Sequence, residues 1–372
     1  MACKGITATV LFESSALNRD EKIGGSVLSI KKLAREHGVF SYFSRPSIRH
    51  HLFTTLQYQC DWEPAPVSLA GDSNNKVIQF DFPEANILSY PELDVFGYMN
   101  TSAGGRPTRK APLGITKAVS VEAWQADMSF GANHDMVARL RQVGEKAEPN
   151  PYSKEEHYSF YRVSFTLDLC RFGYDEYLYE ADQKSPEPPK VLREWLDNYT
   201  RPVTEKEVRE HAGWAEDKIF SLGEGAEWRK YSKEEQNIGY VGIFRQIGKM
   251  VFIVADEERK KRLTDVLSVL KNGIMLHGSG ECYGINPQFI IIGCLTVPVP
   301  VFHNFVSLKN GTIAVDDLGM VIRENDYVLR AFVSSVFPCD KLLENGAPKV
   351  TKGIDIQKIL SCCLENNHGE KE

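Results

Sequence analysis

The chain has 372 residues, 42% hydrophobic and 25% charged, with 44 basic against 50 acidic residues and a formal net charge of −6. That is the composition of a globular protein long enough for more than one core, and it excludes a strongly basic, nonspecific nucleic-acid binder while leaving local basic patches open. No apolar run approaches the roughly 18 residues that span a bilayer, the start MACKGITATVLFESS does not read as a signal peptide, and the eight cysteines lack C-x-x-C or knuckle spacing, so the expectation is reduced thiols in a cytoplasm, with no membrane partner, no structural zinc and no cofactor.

The first expected element is a strand over Gly5–Glu13, where Ile6, Ala8, Val10 and Phe12 alternate with Thr7, Thr9 and Leu11. A polar loop follows, carrying Asn18, Arg19 and Lys22. The stretch SRPSIRHHLF from Ser44 to Phe53 then opens a helix. Arg45 precedes a proline and is biased toward an extended backbone, Pro46 suits the first helical position, and Ile48, Leu52 and Leu56 recur at the spacing of a core-facing stripe.

A second alternation runs over Ser159–Cys170, with Tyr161, Val163, Phe165, Leu167 and Leu169 on one face and Arg162, Ser164, Thr166 and Asp168 on the other. The apolar run Lys249–Ala255 reads as a third strand. It leads into a helix with Asp256 as N-cap, Glu257 and Glu258 in the first turn, an apolar stripe of Leu263, Val266, Leu267 and Leu270, and Gly273 as its stop. A buried-looking strand over Gln288–Val297 follows a glycine-rich turn.

The order strand, helix, strand, strand, helix, strand predicts an α+β fold with an RRM-like (ferredoxin-like) palm. On this reading residues 1–58 form the first half of the palm, 59–157 a finger-like insertion, 158–173 a palm strand, 174–248 a helical acidic insertion, 249–297 the second half of the palm, and 298–372 a strand-rich segment and tail. Residues 1–60 hold 8 basic and 4 acidic residues, while 174–237 hold 10 and 16. A basic unit beside an acidic insertion suits a protein that meets a polyanion on one side and a neighbouring subunit on the other; a mottled surface is the alternative.

The helix start is the principal candidate site. An N-terminus presents unpaired N–H groups and a partial positive charge, which favours phosphate. Arg45 and Arg49 are four residues apart and share a side, Ser44 and Ser47 add hydroxyls, and Asn18, Arg19 and Lys22 come from the preceding loop. A capped, solvated helix is the alternative. His50 and His51 are adjacent and point apart, so they do not jointly ligate a metal, although one of them could serve as a general base. The segment Ser102–Ser120 is glycine-rich and then basic, with Arg106, Arg109, Lys110 and Lys117 and no acids, and would attract a phosphate backbone. It lacks the P-loop pattern, and no G-x-S-x-G elbow or metal-binding H-E-x-x-H occurs, so nothing in the chain demands a reaction.

The strand GITATVLFESSALNR, the helix RPSIRHHLF, the segment RKAPLGITKAVSV, the strand YRVSFTLDLCRFG and the helix ending LKNG resemble the Cascade backbone subunit of CRISPR systems, more narrowly the DevR-type autoregulator branch of subtype I-B. The resemblance implies a hand-like subunit whose copies polymerise along one CRISPR guide RNA and present it for pairing with target DNA beside other Cascade subunits, with no catalytic role of its own. It also implies that Asn18, Arg19, Ser44, Arg45, Arg49 and His50 contact RNA phosphates, with Arg106, Arg109 and Lys110 on the nucleic-acid side. The chain departs from RNA-binding RRM domains in placing Tyr161 and Phe165 on the apolar face, which favours backbone gripping over base stacking on the sheet. Two rivals stay open: an RRM-like RNA-processing endonuclease using His50 or His51, and a DNA-binding transcriptional autoregulator.

Overall fold

The computed structural model describes residues 2–19, 27–70, 76–100, 108–179, 187–223, 225–278, 280–309 and 311–364. Its main sheet is built from β1 (Gly5–Ser15), β2 (Lys32–Arg35), β3 (Gly38–Phe43), β4 (Leu113–Ile115), β5 (Ala118–Ser120), β6 (Tyr158–Asp168), β7 (Phe289–Leu295), β8 (Val328–Ser335) and β9 (Val350–Lys352). Its order is β9-β8-β7-β1-β6-β5-β3-β2, with β4 also paired to β6. All neighbours are antiparallel except β8 and β9. The two long alternations expected from sequence are central neighbours: Gly5 lies opposite Asp168, and the register runs on to Ser15 opposite Tyr158.

Three helices, α1 (Arg45–Cys60), α2 (Asp256–Asn272) and α3 (Ile356–Leu364), share a core with this sheet. Ile6, Ala8, Val10 and Phe12 of β1, with Tyr161, Val163, Phe165 and Leu167 of β6, bury against Ile48, Leu52 and Leu56 of α1 and Leu263, Val266, Leu267 and Leu270 of α2. Period 2 in the strands and period 3.6 in the helices thus meet at one surface, where burial of each large aliphatic side chain is worth about 1.5–3 kcal/mol. The opposite face is covered as well. Leu11, Phe289, Ile291 and Leu295 pack under Phe302, Val306, Leu318 and Ile322 of the C-terminal segment. Where the β1 and β6 side chains on that face are polar, they pair: Thr9 with Ser164 at 2.7 Å, Thr7 with Thr166 at 2.9 Å, and Ser164 in turn with Nδ1 of His303 at 2.8 Å.

Two of the expected assignments are corrected. The strand at Lys249–Val254 exists, but it lies in a second sheet of five antiparallel strands, ordered Tyr174–Leu178, Lys249–Val254, Gln236–Phe244, Glu227–Lys233 and Thr200–Val203. An apolar run reports burial, not which sheet buries it. The strand that closes the main sheet beside β6 is instead supplied by β4 and β5, three residues each and too short to display a period. The second correction follows: residues 174–248 are not a helical insertion, because four of the five strands of the second sheet come from them, alongside the helices Lys190–Tyr199, Glu205–His211 and Glu216–Phe220.

A buried ion network lies where the two sheets join. Asp94, fully buried, accepts from Arg109 at 2.7 Å and from Arg262 at 3.2 Å. Arg262 also pairs with Glu258 at 2.7 Å and donates to the carbonyls of Ile87 and Leu88. Arg259 donates to the carbonyls of Leu169 and Phe172 and lies 4.0 Å over the Trp214 ring. Each guanidinium is met by carboxylate or carbonyl oxygen, the condition under which buried charge is tolerated.

Candidate nucleic-acid interface

Strand β3 runs directly into α1, and Ser44 caps the helix with an extended backbone (φ −73°, ψ 152°). Its hydroxyl accepts from the Ser47 N–H at 3.4 Å. The helix therefore begins one residue earlier than the proline rule suggests, with Arg45 in the first position and Pro46 in the second. The loop after β1 is tied to the same point. Oδ1 of Asn18 accepts from the Ser44 N–H at 2.7 Å, the Asn18 carbonyl accepts from the Lys31 N–H at 3.0 Å, and the Lys31 carbonyl accepts from the Tyr42 N–H at 3.0 Å. Asn18, Ser44 and Arg45 are thus brought together by backbone geometry from two parts of the chain, as the sequence reading required.

The cations divide sharply. Arg45 is exposed and has no ion-pair partner among the described residues. His50 is exposed on the next turn. Arg49 is half-buried, 3.1 Å from Glu92, with its guanidinium 4.7 Å over the Phe96 ring, so much of its charge is already answered. Arg19 is paired with Glu281 at 3.2 Å, and Lys154 reaches the same carboxylate at 3.0 Å. Lys22 and Arg106 lie outside the described residues. Arg109 is a correction: it is buried, bound to Asp94, the carbonyl of Arg171 and the carbonyl of Tyr174, and it joins the two sheets instead of facing solvent. Lys110 is exposed and lines a cleft of about 410 Å³ with Thr116, Thr166, Arg171 and Pro298.

The histidines form a small group of their own. The His50 and His51 rings lie 5.2 Å apart. Burial, then the neighbouring His50 and His277, push the His51 imidazole below its usual 6.5, so it is neutral at neutral pH. A neutral imidazole beside an exposed one can accept a proton from, or donate a hydrogen bond to, a ligand at the helix surface.

Sequence reasoning missed Tyr42. The ammonium of Lys117, exposed, lies 4.7 Å over the Tyr42 ring, two residues before the helix cap. The pairing of Ala118 with Phe43 puts this cation there. Lys117 was visible as part of a basic segment, but its companion became visible only through the β3–β5 pairing. A half-exposed aromatic with a cation above it is a surface on which a base or a sugar can pack.

The sequence and the fold both have relatives. The family model for the CRISPR-associated negative auto-regulator DevR/Csa2 matches residues 6–315. Among solved structures, a chain of a "CRISPR RNA-guided surveillance complex, pre-nicking" aligns with a TM-score of 0.53 at 9% identity, covering 96% of this chain and 100% of the other. A chain of a "CRISPR RNA-guided surveillance complex" aligns at 0.50 with 10% identity, covering 96% and 98%. At these identities the likeness is one of fold. None of the curated protein sequences matches.

Proposed function

Because the chain belongs to the CRISPR-associated negative auto-regulator DevR/Csa2 family, we propose that it is a backbone subunit of a Cascade-type complex of the subtype I-B kind. In this role several copies bind along one CRISPR guide RNA in the cytoplasm, contact further copies and other Cascade subunits, and hold the guide for pairing with target DNA. The subunit does no bond chemistry itself. The observation that carries the reading is the α1 start: an exposed Arg45, a capped Ser44 and an exposed His50, braced by Asn18, in a chain whose fold spans a surveillance-complex chain from end to end. The strand order supports an RRM-like palm. Counted along the chain as strand, helix, short split strand, strand, helix, strand, the central elements β7, β1, β6 and β4/β5 follow the order 4-1-3-2 of a ferredoxin-like sheet.

The RNA contact is electrostatic and directed at phosphates, because the aromatic side chains Tyr161 and Phe165 of β6 are buried under the helices. Of the residues expected at the site, Ser44, Arg45, Ser47, His50 and Lys110 supply the open contacts. Arg49 and Asn18 brace them, and Arg19 takes part if the Glu281 pair opens.

The test is the nucleic acid that copurifies. RNA of one defined length, protected at a regular interval, is expected; recovery of the full chain free of RNA, with no binding to added single-stranded RNA at low salt, overturns the proposal. The His50–His51 pair favours one second reading, an RNA-processing endonuclease. Site-specific cleavage of a repeat hairpin that disappears in His50→Ala would establish it. The family description favours the other, negative autoregulation; a sequence-specific footprint on duplex DNA would establish that.

A further inference from the structure

The two ends of the chain meet beside β7. Cys3 lies just before β1, Cys294 sits in β7, and Cys363 is on α3. All three are buried, and their Sγ atoms lie within 4.8 Å of one another. The Sγ of Cys363 is 3.3 Å from that of Cys3 and 3.4 Å from that of Cys294. Cys362, the preceding residue on α3, is half-buried and lies outside this group. Three sulfurs from three distant parts of the sequence therefore converge, which is why the spacing of the cysteines gave no sign of them.

We propose that Cys3, Cys294 and Cys363 form a zinc-binding thiolate site that fastens the N-terminal segment and α3 to β7. The sulfur spacing argues for an ion. A disulfide requires about 2.05 Å between sulfurs, and all three cysteines are free. A tetrahedral zinc with Zn–S bonds of about 2.3 Å holds its sulfurs roughly 3.8 Å apart, and the observed separations, from 3.3 Å to within 4.8 Å, bracket that value. Binding replaces three S–H bonds by three Zn–S bonds and releases the protons to solvent, with no change of oxidation state, and leaves the fourth tetrahedral position to a water molecule.

The surroundings suit the resulting negative charge. Arg330 on β8 is paired in register with Cys294. Arg259 lines the same pocket as Cys3 and Cys363. That pocket, about 270 Å³ and bounded also by Ala2, Trp214 and Lys218, gives the ion a path in.

The full chain, purified without added metal and dialysed, should carry about one zinc per chain by elemental analysis. Cys363→Ser should reduce this to below about a tenth, while Cys282→Ser, at an exposed thiol elsewhere, should leave it unchanged. In case Cys363→Ser does not fold, metal-stripped wild-type protein is titrated with cobalt(II). Thiolate-to-cobalt charge transfer with the visible bands of tetrahedral cobalt is the expected result. Absence of zinc together with absence of those bands overturns the proposal. So does a disulfide among these cysteines in the intact mass of the unreduced protein, or iron with sulfide bands in place of zinc.

Discussion

Replacing Arg45 by alanine isolates the charge at the α1 start from everything that folds it. The side chain is exposed, has no ion-pair partner among the described residues and lies on the solvent side of the first turn, so its removal leaves no buried group unpaired. Stability should change by less than about 0.5 kcal/mol. RNA affinity should change through counterion release: each phosphate contact contributes about 0.7 to the slope of log affinity against log salt on a single strand. Arg45→Ala should therefore flatten the slope by about 0.7 per bound chain, which amounts to a roughly fivefold narrowing of the wild-type advantage for each tenfold rise in salt. Arg49→Ala provides the contrast. Its guanidinium is shared with Glu92 and stacked on Phe96, so it should flatten the slope less and lower the unfolding midpoint more. Fluorescence anisotropy with an unstructured RNA across a salt series reads both slopes, and urea unfolding reads both stabilities. If Arg45→Ala leaves the slope unchanged while Arg49→Ala flattens it, the phosphate contact has been assigned to the wrong arginine and the geometry of the helix start has been misread.

Three further outcomes follow from the packing. Asp94→Asn removes the carboxylate shared by Arg109 and Arg262 inside the protein, leaving Asp175 at 3.6 Å from the first and Glu258 at 2.7 Å from the second, and should cost about 3–5 kcal/mol in urea unfolding; a loss below about 1 kcal/mol, as for an ordinary surface pair, would mean those two carboxylates suffice. Leu52→Ala empties a fully buried position in the seam between α1 and the sheet and should cost about 2–5 kcal/mol with little change in RNA affinity per folded molecule. His303 carries a pH dependence. Burial, then Arg162 and Arg35, push its imidazole down to about 4. A histidine lowered on folding contributes stability that is complete above its unfolded value of about 6.5 and is lost as pH falls through the folded value. Discounted for its partial exposure, about 1–2 kcal/mol should disappear between pH 7 and pH 4; His303→Gln should lose less over that interval, and equal losses in the two proteins would place the effect elsewhere.

What the sequence made legible was local. The alternations of β1 and β6, the stripes of α1 and α2, the stop at Gly273 and the capped start at Ser44 are each written within a dozen residues, and each stands in the fold, although the second helix takes Ala255 as its cap with Asp256 one position inside. What was not legible was partnership. Lys249–Val254 is apolar whichever sheet receives it, and β4 and β5 are too short to announce that they complete the central sheet. The same limit governs the site. Arg109 and Lys110 are neighbours in an acid-poor segment and look alike in sequence, yet Asp94, in the helix Pro91–Phe96, draws the first inward and leaves the second in solvent. Arg45 and Arg49 lie four apart on one helix, yet Glu92 answers only one of them. A cation count therefore locates the region that meets a polyanion, and the burial of each cation's counter-charge decides which of them meets it. By that criterion the charge open to the proposed RNA contact is Arg45 in the first turn of α1 with Lys110 and Lys117, a narrower surface than the basic balance of residues 1–60 suggests.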